Sequence, residues 1–479
     1  MKKTLVWLRQ DLRLLDNPAL YHACALNQPT IIIYILDEAI YPLGGAQCWW
    51  LHYSLEALQK DLLKKQSKLI LKKGIAENIL IDLIESENIS HVFWNRCYEP
   101  LAIERDTHLK QLFTKMGIII ESFNASLLNE PHQIKTKEDS FFKIFTYYWK
   151  TCCAHQKIKP LLPIPVLINS ADNTTLESDD LPTWDLLPKS PDWSAGLKNH
   201  WQPGEAGAKK QLKNFIKSKL IDYANARDFP AKSKTSFLSP HLHFGEISPW
   251  QIYHILKQIE LENAAMGRSV ELYLTQLGWR EFSYYLLYHY PKLPEKNFKS
   301  RFDNFPWVKS KKLLQAWQKG KTGYPIVDAG MRQLWYSGYM HNRVRMIVAS
   351  FLTKDLLIDW RVGADWFWDT LVDADLANNS ASWQWVAGSG TDASPYFRIF
   401  NPTLQGEKFD PNGDYVRRWI PELKKLPNKY IHKPWETPET ILNSTSIRLG
   451  TDYPLPIIDH CKARQHALEL YKKTSNNPL

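Results

Sequence analysis

The sequence lacks most of the short signatures that announce an enzyme. It holds no GxSxG, no HExxH and no cysteine set beside a plausible catalytic histidine, so the common hydrolase chemistries have no foothold. No GxGxxG follows the first β-rich run and no GxxxxGK[ST] occurs, so neither a dinucleotide nor a triphosphate site is marked by motif. Cysteine is sparse, with six at positions 24, 48, 97, 152, 153 and 461 and no CxxC among them. That spacing excludes a disulfide scaffold. Cys152 and Cys153 with His155 are too compressed for a zinc site, so no metal is expected. There is no uncharged apolar window of about 18 residues, so no membrane span is expected. The apolar stretch near the start is broken by Arg9 and Asp11, which is not the pattern of a secretory signal. A cytoplasmic protein with free thiols is the expectation.

What is present is a chain of 479 residues, 44% hydrophobic, enough for two or three domains with real cores. The formal net charge of +10 favours a polyanionic partner, nucleic acid before anionic membrane. Twenty tryptophans accompany 22 tyrosines and 19 phenylalanines. Most must be core. A few could offer stacking surfaces to bases or to a planar cofactor, and composition alone does not say which.

Residues 1–130 alternate β-rich runs with amphipathic segments. The runs are Thr4–Leu8, Thr30–Leu36, Leu69–Lys72, His91–Trp94 and Ile118–Phe123, and helical spacing appears at 50–65, 77–87 and 101–115. This βαβ rhythm predicts a doubly wound α/β domain with a parallel sheet. Residues 131–205 collect Pro160, Pro163, Pro165, Pro182, Pro188 and Pro191, and read as a long irregular linker laid on the surface. Residues 206–479 lose the strand rhythm. Helical spacing recurs at 206–221, 249–262, 268–290, 311–319, 325–337, 340–357 and 363–372, predicting an all-α domain.

Several segments could carry chemistry. The basic helix 208–219 is read first as a solvated face. Thr235, Ser236 and Ser239 precede a helix-forming stretch, where hydroxyls could cap amides or hold a phosphate; both readings stay open. Trp279-Arg280-Glu281-Phe282 lies in an aromatic helical segment, and its two charges need polar partners to be buried. In His341-Asn-Arg-Val-Arg-Met346, Arg343 and Arg345 need an anion, and Asp373 and Asp375 are the natural candidates. An internal ion pair explains them equally well.

Assembled in order, these segments resemble the photolyase/cryptochrome family. Val6–Pro18, Thr235–Ser239, Trp279–Phe282, Gly323–Asp328, Met340–Met346, Asp373–Asn379 and the run from Trp383 to Phe409 carry the likeness along nearly the whole chain. The bacterial members that repair cyclobutane pyrimidine dimers are the most similar. Trp49–Ser54 and Leu277–Trp279 are similar to bacterial members allied to plant cryptochromes. The resemblance implies a light-driven lyase, a monomer acting on UV-damaged DNA, with FAD bent inside the helical domain. Photoexcited reduced FAD would lend one electron to a flipped-out dimer and take it back after the ring opens.

By position, the resemblance assigns FAD contacts to Tyr223, Thr235, Ser236, Phe237, Leu238, Ser239, Arg345, Asp373, Ala374, Asp375 and Asn379. The hydroxyls would hold the pyrophosphate, and Asn379 would face the flavin N5. DNA contacts would fall to Arg227, Gln276, Trp279, Arg280, Asn342, Arg343, Met346, Trp385 and Gln405. Trp383, Trp360 and Trp307 would form an electron-transfer wire, from the flavin outward to the surface. The 97–106 segment keeps the family outline but not the polar pair of the best-known folate site; a methenyltetrahydrofolate antenna is expected, with deazaflavin or none as the alternatives.

Two positions depart from the pattern. Gln276 stands where dimer-repairing members carry glutamate; Gln also occurs there in (6-4) photolyases. Those carry a histidine pair where this chain has Asn342 and Arg345, which keeps dimer repair first. Tyr273 replaces a frequent tryptophan. A cryptochrome-like light sensor is the competing reading, and the short tail after the last helical segment speaks for repair.

Overall fold

The computed structural model describes the chain apart from residues 1, 39, 41, 156, 172–175, 397 and 476–479. Phe397, inside the run from Trp383 to Phe409, and the last residues of the tail lie outside the described residues.

Five parallel strands, β1 (Lys3–Leu8), β2 (Thr30–Leu36), β3 (Leu69–Lys73), β4 (Ile89–Asn95) and β5 (Ile119–Phe123), form one sheet in the order β3-β2-β1-β4-β5. β1 and β2 read as near-continuous apolar runs because both faces of the sheet are covered. Val6 and Leu8 pack with the helices Pro18–Ala25 and Gly45–Leu63 on one face. Leu5 and Trp7 pack with Ala76–Ser86 and Pro100–Lys115 on the other. The strand order reverses beside β1, which in open α/β sheets leaves a crevice at the carboxyl ends of the strands. Here Arg9 fills it. Its guanidinium meets both Asp106 carboxylate oxygens at 2.8 and 2.7 Å, bonds the Asn95 carbonyl and lies 4.6 Å over the Trp7 ring.

The sheet is locked to the helical part by buried polar contacts. The Trp50 indole donates to Glu246 at 3.0 Å, and Arg13 donates to the carbonyls of Gly245 and Ala125 at 2.8 and 2.9 Å. A side chain at Gly245 would sit 2.0 Å from the Gln10 carbonyl, so only glycine permits this approach.

The 131–205 stretch departs from the irregular linker predicted. It contains the helix Phe145–His155, a 3-10 turn at Leu181–Trp184 and a parallel bridge from Ser170 to Thr30. Ile168, Leu181, Trp184 and Leu186 are buried with one face of the sheet. Phe145–His155 packs on the helix Gly267–His289 at Gly278, where a Cβ would stand 2.6 Å from the Trp149 ring. Six prolines masked an aromatic run, Phe141 to Trp149, that gains its partners only across the fold.

Among its described residues the 206–479 part is built of helices joined by turns and loops, with one isolated bridge between Leu449 and Tyr453 and no strand. Pro249–Glu262 has the predicted bounds because its start is written locally: Ser248 accepts from the Gln251 amide while Gln251 returns a bond to the Ser248 amide. The segment predicted as one helix over 340–357 divides into Asn342–Ser350 and a π-turn at Phe351–Asp355. Among the described residues no helix is long and apolar enough to cross a membrane.

Candidate active site

One cavity of about 600 Å³ lies among helices of the C-terminal part, within the size range of cofactor sites. Gly267–His289 contributes Tyr273, Gln276 and Arg280 from one face, at helical spacing. Asn342–Ser350 begins under a cap, His341 Nδ1 accepting from the Arg343 amide at 3.2 Å, and brings Asn342, Arg345 and Met346. Burial pushes His341 down to about 4, so the cap is a neutral acceptor at neutral pH. Leu376–Ala387 begins at Asp375, which accepts from the Asn378 amide at 2.9 Å, and brings Asn379 and Trp383.

The deep end is ionic. Arg345 Nη2 reaches both Asp373 oxygens at 3.0 and 2.9 Å, while its Nε donates to the Met340 carbonyl at 2.7 Å. Ser239 Oγ donates to the same carboxylate at 2.6 Å. Asp375 is fully enclosed. Burial works against its charge, but hydrogen bonds from His243 and Tyr284 outweigh that and hold it well below the usual carboxylate range. Asn379 Nδ2 donates to the Ala364 carbonyl at 3.0 Å. A carbonyl only accepts, so this bond fixes the amide and leaves Oδ1 as the group free toward the cavity.

The loop before Ser239 is shaped by Phe237, whose φ of +58° is a left-handed conformation rarely taken by a bulky residue. Tyr273 donates to Ser236 Oγ at 2.9 Å, and Thr235 Oγ1 lies 3.4 Å from the Tyr339 hydroxyl. Thr235, Ser236, Phe237 and Ser239 line the cavity, as do Tyr223, Asp373, Ala374 and Asp375. Leu238 does not. Its side chain is buried with Leu212, Phe215 and Leu220, leaving only its backbone to face a ligand.

The outer end is cationic and aromatic. Arg227, Gln276, Trp279, Asn342, Arg343, Met346 and Trp385 all line it. Phe145 stacks on one face of Trp279, with centroids 3.8 Å apart and planes 12° apart, so only the other face is available. Arg280 lines the cavity, but its guanidinium donates to the Ser126 carbonyl at 2.7 Å. Arg343 pairs with Asp228 at 3.0 Å and lies 4.4 Å over the Phe409 ring. Gln405 stands on the helix Pro402–Phe409, outside the residues that line the cavity.

The three tryptophans run away from this cavity. Trp383 lines it. Its six-membered ring packs on Gly363, one turn beyond Trp360 on the helix Trp360–Thr370, so Trp383 meets the helix stripe that carries Trp360. Trp360 is buried and donates to Asn297 at 2.9 Å. Val308 N bonds the Leu357 carbonyl at 2.7 Å, which brings Trp307 beside the turn that leads into Trp360. Trp307 is half-buried against Phe305. The sequence reading missed Phe145, His243, Tyr284 and Tyr339. Of these Phe145 and Tyr284 left a signal, each in a run of aromatics at helical spacing.

Comparison with known proteins agrees with this arrangement. Residues 4–166 match the family model described as DNA photolyase, and residues 273–473 match the FAD binding domain of DNA photolyase. The chain is 50% identical over 475 residues to a deoxyribodipyrimidine photo-lyase of Agrobacterium fabrum, covering 98% of each protein. It is 40% identical to cryptochrome-1 of Arabidopsis thaliana, covering 97% of this chain and 69% of that protein. A crystal structure of a bacterial class III photolyase from Agrobacterium tumefaciens superposes with a TM-score of 0.97 at 49% identity, covering 100% of this chain and 98% of that one. The chain belongs to the photolyase/cryptochrome family and carries its FAD-binding domain.

Proposed function

We propose that this chain repairs cyclobutane pyrimidine dimers in DNA in a light-dependent reaction, acting as a deoxyribodipyrimidine photo-lyase. The observation that carries the reading is one cavity with two chemically distinct ends. Its deep end holds the Arg345–Asp373 pair and the fixed Asn379 amide, and its mouth holds Trp279, Gln276 and Asn342 between arginines. The donor set fits FAD: hydroxyls of Thr235 and Ser236 for phosphate, Tyr223 and Tyr273 as aromatic wall, and Asn379 Oδ1 as acceptor for a ring N–H. When bound, reduced and photoexcited, FAD supplies the electron that opens the cyclobutane ring.

The chain's own residues bind, orient and exclude. Arg227 and Arg343 at the mouth attract the phosphodiester backbone and make affinity fall with salt. The open face of Trp279 receives the dimer after it leaves the base stack. Its other face is pinned by Phe145, so the indole is held ready rather than ordered on binding. Asn342 hydrogen-bonds a base edge. Asp373 keeps Arg345 fixed at the flavin, and the buried charge of Asp375 is held by His243 and Tyr284. Trp383, Trp360 and Trp307 carry electrons inward to reduce an oxidised cofactor. The cavity is built within one chain, and a monomer is the working unit.

An antenna of methenyltetrahydrofolate completes the reading.

The test is light-dependent repair of an oligonucleotide carrying one thymine dimer, run beside one carrying a (6-4) photoproduct. Repair of the dimer alone is expected. Repair of neither, with flavin photoreduction intact, would replace this reading with a light sensor. A near-UV absorption band beyond those of flavin, lost on folate removal, is the expected sign of the antenna.

A further inference from the structure

The helix Phe145–His155 lies in the stretch between the two halves of the chain, yet its first turn stands at the mouth of the cavity. Phe145 is stacked behind Trp279, and its amide donates at 3.0 Å to the Asp392 carboxylate, a residue of the cavity lining. One turn on, Trp149 packs so closely on Gly278 that no side chain would fit there. These contacts fix the helix to the rim.

The rim side chains that this segment leaves open are apolar and cationic. Ile144 is 43% exposed and Tyr147 61%, beside Trp279 at 36%. Ile144 and Tyr147 are three residues apart, so they share one side of the chain as it enters the helix. Lys143 precedes them, and Lys150 follows Tyr147 at the same spacing; both are exposed. No acidic residue occurs from Ser140 to His155. The fold gains nothing from an isoleucine and a tyrosine left open beside a cavity, and such patches mark contact surfaces. Lysines without an acid favour a polyanion. Aromatic and branched side chains among cations suit unstacked bases.

The position chooses the strand. Arg227, which donates to Gln276 Oε1 at 2.8 Å, and Arg343 line the mouth and take the phosphates of the strand whose dimer enters. The helix Phe145–His155 instead backs the covered face of Trp279. A dimer that leaves the duplex also leaves two bases on the other strand without partners.

We propose that Ile144 and Tyr147, flanked by Lys143 and Lys150, receive the strand opposite the lesion and stack against the bases that the dimer leaves unpaired. The inference rests on the dimer-repair reading and adds recognition of the undamaged strand to it. These side chains lie outside the cavity lining, so they govern binding and not electron transfer.

The experiment presents one thymine dimer to the flavin-loaded full chain in two forms, in a duplex and in the same strand alone. Wild type and Ile144→Ser/Tyr147→Ser are assayed for light-driven repair, with flavin content and denaturant midpoint as checks on the fold. The variant is expected to raise KM on the duplex about tenfold, the size of one lost stacking contact. Its kcat, and its KM on the single strand, should stay within about twofold of wild type. Lys150→Gln is expected to lower the salt slope of duplex binding by about one and to leave that of the single strand unchanged. A 2-aminopurine opposite the dimer should stay dim in the wild-type complex, where Tyr147 stacks on it, and brighten in the variant complex. A KM that rises equally on both substrates would assign the patch to the lesion strand and overturn the inference. Unchanged KM on both, or a bright 2-aminopurine in the wild-type complex, overturns it as well. Wild type that repairs the dimer in neither form overturns the dimer-repair reading instead.

Discussion

Gly363→Ala probes the contact that ties the tryptophan path to the flavin cavity, without removing any aromatic ring. A methyl group at Gly363 would stand 2.2 Å from Trp383 Cη2, 2.6 Å from Cζ3 and 2.6 Å from Leu352 Cδ2. Carbon atoms rest at roughly 3.5–4.0 Å, so the indole edge must retreat by about 1.5 Å. Retreat is opposed by Phe367, 5.0 Å away between centroids, and by Trp317 at 6.3 Å, which leaves the cavity as the open direction. Overpacking of this kind costs about 1–3 kcal/mol. The gain in helix propensity from glycine to alanine is at most about 1 kcal/mol, so net destabilisation is expected. The functional loss should exceed the stability loss, because the displaced ring enters the volume that the flavin needs. Flavin content per mole of protein, the rate of flavin photoreduction in blue light and the denaturant midpoint of the loaded protein measure the three effects. A variant with full flavin, wild-type photoreduction and an equal or higher midpoint would refute the packing argument.

Three further outcomes are expected. Trp383→Phe should abolish flavin photoreduction under light yet spare dimer repair by chemically pre-reduced protein; persistent photoreduction would show that electrons enter elsewhere. Asp373→Asn should lose flavin on dialysis, because Arg345 keeps its place but loses the carboxylate that neutralises it; removing one member of a partly buried pair costs about 1–3 kcal/mol, below the fully buried case. Lys354 is buried in the π-turn, and burial pushes it down to about 7. In the unfolded chain it stays protonated up to its ordinary value, so between pH 7 and 10.5 the unfolded state binds more protons and stability should rise with pH. Below that window the cost is complete. Lys354→Met should flatten the slope and stabilise the protein at neutral pH by up to about 4 kcal/mol, read from denaturant midpoints across the range.

The sheet could be read from the sequence because its determinants are local and its burial two-sided. Ile31, Ile32 and Ile33 are β-branched, and both faces of β2 are covered, so an apolar run between polar turns has one sensible outcome. Pro249–Glu262 was equally plain, since Ser248 and Gln251 write the helix start within four residues. The helix Phe145–His155 was not plain. Its stabilising partners, Trp279 and Gly278, lie more than 120 residues further on, and nothing near Phe145 discloses them. The π-turn at Phe351–Asp355 failed for a related reason: apolar spacing continues through it, while the register of its hydrogen bonds does not. Leu238 illustrates the limit of motif transfer. It shares a segment with four cavity residues, but its side chain points into the opposite core.

What the sequence names but cannot orient are two of the amides of the site, Asn379 and Gln276. Asparagine and glutamine each offer a donor and an acceptor, and the composition of a motif does not say which faces the ligand. Neighbours decide it here. Asn379 is held by a carbonyl that can only accept, so it turns its oxygen to the cavity. Gln276 is held by a guanidinium that can only donate, so it turns its nitrogen to the cavity. The first presents an acceptor at the deep end, suited to the N–H of a reduced ring system. The second presents a donor at the mouth, suited to the carbonyl edge of a pyrimidine. Exchanging either neighbour's hydrogen-bonding sense would reverse the amide without altering its residue type. Arg227 and the Ala364 carbonyl therefore bear on what this cavity recognises as directly as the residues that touch the ligand.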